Sequence, residues 1–260
     1  MPEYDQQHVE TDPVIISAAE AWSYLRLNDR QRVNDAVKSV LAPMAKGTNL
    51  EAIVAGQNLL RLVVRPATES EPAVMESDAA LLRRYLLSLD RPSIGSIGRY
   101  LLDAWTVWPG MGDARVNGRA VHGRLGDTDV VITGQGGADP TPTEIALVTA
   151  AVTNPNVKPE AHGVSVLAAT RLEYSGDLVV EVPAIGPDAG VVRQEAEDRV
   201  SVAAAERTRI GGELPGGYLP SAAYGANVIK VRDLAPVTIE PDPYTVPVLA
   251  SLSVTAEIRS

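Results

Sequence analysis

Two runs of strict alternation set the terms for this chain. Val164, Val166, Ala168, Thr170, Leu172 and Tyr174 recur at every second position, and so do Val248, Ala250, Leu252, Val254, Ala256 and Ile258. Side chains of an extended strand point alternately to opposite faces, so each run predicts a strand with one buried face. An apolar face of that length needs a partner layer. The layer is supplied by helical periodicity over 189–208, where Val192, Ala196, Val200 and Ala203 fall in line. The chain is therefore expected to be an α+β protein with helices packed on small sheets.

The rest of the chain divides by punctuation. Residues 1–16 are polar and unpatterned and read as an arm. From Ser17 to Ala42 the spacing is helical, with an interruption at Asn28-Asp29-Arg30 and a stop at Pro43. Thr48 and Glu51 have capping-box spacing and predict the start of a second helix, which completes an N-terminal helical segment over 17–65. Pro66 and Pro72 mark a linker over 66–75. Two helices follow, one with Leu82, Tyr85, Leu86 and Leu89 on a face, the next with Ile97, Leu101, Ala104 and Trp105. Short strands are expected near 114–121 and 128–133. Thr141-Pro142-Thr143-Glu144 is a further helix start.

A turn or bulge at Ser175-Gly176-Asp177 separates the first alternating run from a strand over 178–182. Glycines 211, 212, 216 and 217 form a connection to a short helix near 220–226 and a strand at 228–233. The order helix, short helix, strands over 78–134 returns over 189–258. The expected organisation is thus a helical segment followed by two small related α+β modules, 66–160 and 161–260.

Composition narrows function mainly by exclusion. With 33 acidic and 23 basic side chains the net charge is -10, which disfavours nucleic acid and anionic lipid as partners. The absence of cysteine removes disulfides, thiolate metal sites and cysteine nucleophiles. No apolar run approaches a membrane span, and no basic-then-apolar start suggests a secretory signal. Phe is absent, so the cores must be aliphatic, with Trp22, Trp105 and Trp108 as their few large pieces.

Chemistry-bearing groups are sparse. His8, His122 and His162 show no ligand spacing. Asp127-Thr128-Asp129 lacks the further oxygens and closing glutamate of a calcium loop. Gly134-Gln135-Gly136-Gly137 follows a strand but lacks a phosphate-loop fingerprint. Glu240 and Asp242 sit between prolines that hold them apart. No catalytic residue, cofactor or metal is expected. The alternative is a small enzyme whose polar groups converge in space around His122, Asp127 and Asp129.

Five phrases in fixed order point elsewhere: RQRVNDA at 30–36, ESDAALLRRYLLSL at 76–89, SIGSIGRYLLDAW at 93–105, PNVKPEAHGVSVLAA at 155–169 and LPSAAYGANVIKVRDLAP at 219–236. Together they resemble the baseplate J-like family, the larger wedge protein of contractile phage tails and related particles. The resemblance runs from about Leu25 to Pro236. It departs from the family where the helical lead-in is short.

What it implies is a non-enzymatic scaffold in the tail baseplate of a virion or tail-like injection particle, assembled in the host cytoplasm. Two copies would join a smaller I-like wedge protein through a shared helical bundle. Their C-terminal domains would link wedges into a sixfold ring around hub and spike, below a sheath-initiating protein, and relay the contraction trigger. The residues fit that role. Trp22, Leu25, Val33, Val37 and Val40 form one apolar stripe, the expected bundle interface. Burying five such side chains yields roughly 10 kcal/mol gross at about 1.5–3 each, against an association cost of about 4–15 kcal/mol. A ring supplies the remainder by multivalency. Pro66 and Pro72, and Gly211, Gly212, Gly216 and Gly217, are the expected hinges.

Overall fold

The computed structural model describes residues 12–89 and 93–259. Most of the expected arm, including His8, and also Arg91 and Pro92 of the expected repeat, lie outside the described residues. The chain forms two compact units. One comprises the residues through Arg61 together with Ser77–Leu86, and the other Leu62–Glu76 together with the residues from Leu87 onward.

In the first unit, helix α1 (Pro13–Ser39) begins at a cap that lies inside the expected arm. The Asp12 carboxylate accepts the Val14 N–H at 2.8 Å, and Pro13 takes the first helical position, where its missing N–H costs nothing. The helix runs straight through Asn28–Arg30, so the expected interruption does not occur. Asn and Asp cost a helix only a few tenths of a kcal/mol each at exposed positions.

Helix α2 (Gly47–Ala55) is not started by a Thr48–Glu51 box. Lys46 is its cap residue, the Asp78 carboxylate accepts the Gly47 N–H at 3.1 Å, and Glu51 is drawn away to Arg61 at 2.6 Å. A charged partner simply offers Glu51 a stronger bond than a backbone amide does. Helix α3 (Asp78–Leu89) contributes Leu81 to a small core with Ala45, Leu50 and Val54. Leu86 and Leu89, expected on the packed face, are exposed.

The second unit opens with a hairpin of β1 (Val63–Arg65) and β2 (Val74–Met75). Helix α4 (Ile97–Val107) is capped by Ser96. Strand β3 (Met111–Asn117) follows, then the single turn α5 (Arg119–His122) where strand was expected to continue, then β4 (Asp127–Gly134). A 3-10 turn over Gln135–Gly137 leads to α6 (Pro142–Val152), whose Thr141–Glu144 capping box forms as expected. Strands β5 (Gly163–Ala168) and β6 (Thr170–Pro183), helices α7 (Ala189–Arg207) and α8 (Tyr218–Ala223), and strands β7 (Lys230–Asp233) and β8 (Thr245–Arg259) complete the chain.

Two three-stranded sheets result, ordered β3-β4-β5 and β7-β6-β8. In each, the central strand is antiparallel to one neighbour and parallel to the other. The two sheets therefore share one strand pattern, but not in the order read from the sequence. The true counterparts are β4–α6–β5 and β6–α7–β8, with β3 matching β7. Strand pairing is non-local, so element order alone gave the repeat the wrong phase.

The first alternating run is two strands rather than one. Alternation passes uninterrupted through Ala169, yet β5 pairs with β4 in the first sheet while β6 pairs with β8 in the second. Ala169 is buried, and its N–H donates to the Ile132 carbonyl at 2.9 Å. Strand β6 then continues through Ser175–Asp177, so of the turn or bulge expected there no turn forms, and a register shift falls at Tyr174/Ser175.

The residue behind that shift lies in β8. Tyr174 pairs with Leu249 and Ser175 with Ser251, leaving Ala250 as an extra residue. An inserted residue inverts the alternation. Leu249 faces the α7 core before the bulge, whereas Leu252, Val254 and Ala256 face it afterwards. Val246 and Val248 point the other way, into a small cluster with Val131, Ala169 and Ile210 that joins the modules. The second alternating run thus serves two cores.

The main cores are aliphatic, as the lack of Phe requires. Tyr174, Leu178, Val180 and Val182 of β6 meet Val192, Ala196, Val200 and Ala204 of α7. Trp105 and Trp108 fill the core of the first module, but Trp22 is exposed and belongs to no core.

Candidate interaction surface

Helix α1 buries none of its side chains. At 100° per residue, Trp22, Leu25, Val33, Val37 and Val40 fall within an arc of about 120°. They are 66%, 54%, 62%, 53% and 68% exposed. Ile15, Ala18 and Ala36 extend the same stripe. The residues step by threes and fours along it, the spacing of a bundle or coiled-coil seam, with Asp29 seated within it.

The helix is zoned along its length. Between Pro13 and Leu27 apolar residues also occupy the opposite side, where Ile16, Tyr24 and Leu27 are all exposed. From Asn28 to Ser39 that side is polar and only the stripe remains. A helix that is apolar all round is stable in water only when enclosed, while one with a single stripe needs cover on one side.

The base of the unit is held by ions. The Arg61 guanidinium donates to Asp78 and to Glu51, both at 2.6 Å. Its bond, together with that from Gly47, holds the Asp78 carboxyl below the usual carboxylate range. Burial opposes the charge on Arg61, but the two carboxylates outweigh it and raise its pKa.

The expected hinge residues occupy anchored segments. Pro66 and Pro72 lie in the loop between β1 and β2, spanned by an Arg65–Glu71 ion pair at 2.8 Å. The Gly211 N–H donates to the Thr245 carbonyl at 2.8 Å, and a side chain at Gly212 would stand 2.2 Å from the Arg207 carbonyl oxygen. Gly216 lies against Thr238, and Gly217, at φ +81°, precedes α8.

The polar groups considered for catalysis form a clasp. Asp129 is 1% exposed, and its two oxygens accept the Arg124 guanidinium at 2.6 Å and the Tyr244 hydroxyl at 2.7 Å. Burial pushes its pKa up, but Tyr244 and Arg124 outweigh that, and the net shift is downward. Burial and then the bond to Asp129 push the Tyr244 phenol up.

Asp127 stands 3.3 Å from Arg124, and His122 Nδ1 accepts the Arg124 N–H at 3.1 Å. A general base needs a lone pair directed at a substrate proton, whereas both Asp129 oxygens are directed at protein donors. Asn117 donates to the Pro243 carbonyl at 2.9 Å and Asp113 accepts the Ile210 N–H at 2.9 Å, so the clasp joins β3 and β4 to the second module. Sequence reasoning missed Tyr244, which lies 115 residues from Asp129, and also Arg124, which lies only five away but carries no motif spacing. Among the described residues no group of three His, Cys, Asp or Glu is placed to hold a metal, and no helix is long and apolar enough to cross a membrane.

Residues 10–68, which span α1 and α2, match the family model of the Baseplate J-like N-terminal domain. Over 245 residues the chain is 27% identical to Baseplate protein J of Escherichia phage P2, covering 88% of this chain and 76% of that protein. The chain is similar to the baseplate J-like family. A chain in the cryo-EM structure of the anti-feeding prophage (AFP) baseplate, 6-fold symmetrised, superposes with a TM-score of 0.47 and 15% identity. That superposition covers 72% of this chain and 47% of the other, so this chain spans just under half of its length.

Proposed function

We propose that this chain is a wedge component of a contractile tail or tail-like injection particle, acting as a connector that helps relay the contraction trigger. Its likeness to baseplate J supports the coarse part of this reading: a structural baseplate component, in a virion or tail-like particle, associated with other baseplate proteins. The finer part rests on α1. A 27-residue helix without one buried side chain, carrying a continuous apolar stripe, lies within the segment that matches the baseplate J-like domain.

In this reading the stripe enters a bundle with a second copy and a smaller I-like wedge protein. The first four turns, apolar on two sides, lie where helices surround them. The two α+β modules then contact neighbouring wedges in a sixfold ring about hub and spike, below the sheath-initiating protein. Assembly takes place in the host cytoplasm.

Trp22→Asp tests the bundle. Trp22 is exposed in the isolated chain, so the variant should fold and melt as the parent does. Co-expressed with its native tail genes, it should lose the smaller helical partner and fail to enter wedges. Normal recovery of that partner by the variant would remove the bundle.

A further inference from the structure

Resting on that reading, we propose that the partner helix at the level of residues 26–38 is acidic, and that its carboxylates seat on Arg26 and Arg30. At 100° per residue these arginines fall about 40° and 80° from Trp22, alongside Val33 and Val37 on one flank of the stripe. With Asp29, Val33 and Asn34, the two arginines line a shallow groove on the helix surface.

Asp29 lies within the stripe and is directed away from both arginines, to Arg32 at 3.8 Å, and Asp35 lies on the opposite side of the helix. Among the described residues Arg26 and Arg30 make no ion pair. In a chain of net charge -10 two adjacent cations on one helix flank without a carboxylate partner are available to a partner's carboxylates. Guanidinium groups flanking an apolar seam take carboxylates in two-pronged geometry and fix the register of the pair.

The same charges argue against a second copy at this level. A parallel copy in register would set the Arg26 and Arg30 flank against the opposite flank of its mate, which carries Arg32, and Asp29 against Asp29. An antiparallel copy centred on residue 28 would set Arg26 against Arg30 on both sides. Two copies are thus brought together by a third, acidic helix that neutralises both basic flanks.

The test uses the purified full chain and two synthetic helical peptides. Both carry the same Leu/Ile stripe, but one is flanked by Glu and the other by Lys. The Glu-flanked peptide should bind at least about tenfold more tightly, with affinity falling as salt rises. The Arg26→Glu/Arg30→Glu variant should reverse the preference. Equal binding of the two peptides, binding of neither, or a preference that survives the double reversal would overturn the inference. Trp22→Asp separates the two ideas: if it leaves peptide binding unchanged the seam itself is wrong, and if it abolishes binding while the charge reversal has no effect only the acidic partner is wrong.

Discussion

Asp129→Asn should weaken the second unit by an amount the geometry allows to be worked out. The parent carboxylate accepts two charge-assisted bonds while almost fully buried. The Arg124 side chain is 51% exposed, so solvent screens that pair and it adds little. The Tyr244 hydroxyl bond to a buried charge is worth about 1.5–3 kcal/mol. Asparagine keeps the shape but turns an amide N–H toward a donor, so the loss should be roughly 1.5–3 kcal/mol.

Urea unfolding followed through Trp105 and Trp108 measures it, since both sit in the first module's core. The pH dependence fixes the cause. The Asp129 pKa is lowered in the fold, so its contribution is complete above the ordinary aspartate value of about 3.9. It is lost as pH falls through the lower folded value. The gap between parent and variant should therefore be constant near neutrality and close in acid. A neutral-pH gap below about 0.5 kcal/mol, the usual scatter of surface substitutions, or a gap that persists unchanged at low pH, would refute the clasp. Tyr244→Phe should reproduce most of the loss and add little to Asp129→Asn, because the two share one bond.

Deleting Ala250 removes the bulge and joins Leu249 to Ser251, so Leu252, Val254 and Ala256 keep facing α7 in regular alternation; a cooperative, near-parent melt is expected, and loss of cooperativity would show that the bulge's added twist is itself required. Gly112→Ala would place a methyl 2.0 Å from the Gly134 carbonyl oxygen, so β3 and β4 must part, at about 1–3 kcal/mol or more by thermal or urea unfolding. An unchanged midpoint would mean the hairpin has slack that its register denies.

What the sequence showed well was whatever local periodicity controls. The α7 face through Val192, Ala196 and Val200, the Thr141–Glu144 box and the α1 stripe are all set by neighbours within one or two turns. What it hid depended on distant partners. Arg61 takes Glu51 away from Thr48, and β4 and β8 claim opposite sides of Ala169 within one unbroken alternating run. The extra residue at Ala250 is visible only against β6. Trp22 illustrates a different failure, since size and apolarity suggested a core that the chain does not build around it. Asp129 was noticed as a possible metal loop, but its role depends on a tyrosine that no spacing rule connects to it.

The single residue between β5 and β6 has a mechanical consequence. The Ala169 N–H is tied to Ile132 in the first sheet and the Thr170 N–H to Tyr244 in the second, at 2.9 and 2.8 Å. A one-residue coupling holds no slack, so the sheets cannot slide apart while either bond stands. What remains is rotation about the two soft dihedrals of Ala169, opposed by both bonds at once. A torque on one sheet therefore reaches the other without lag, much as through a short rigid shaft.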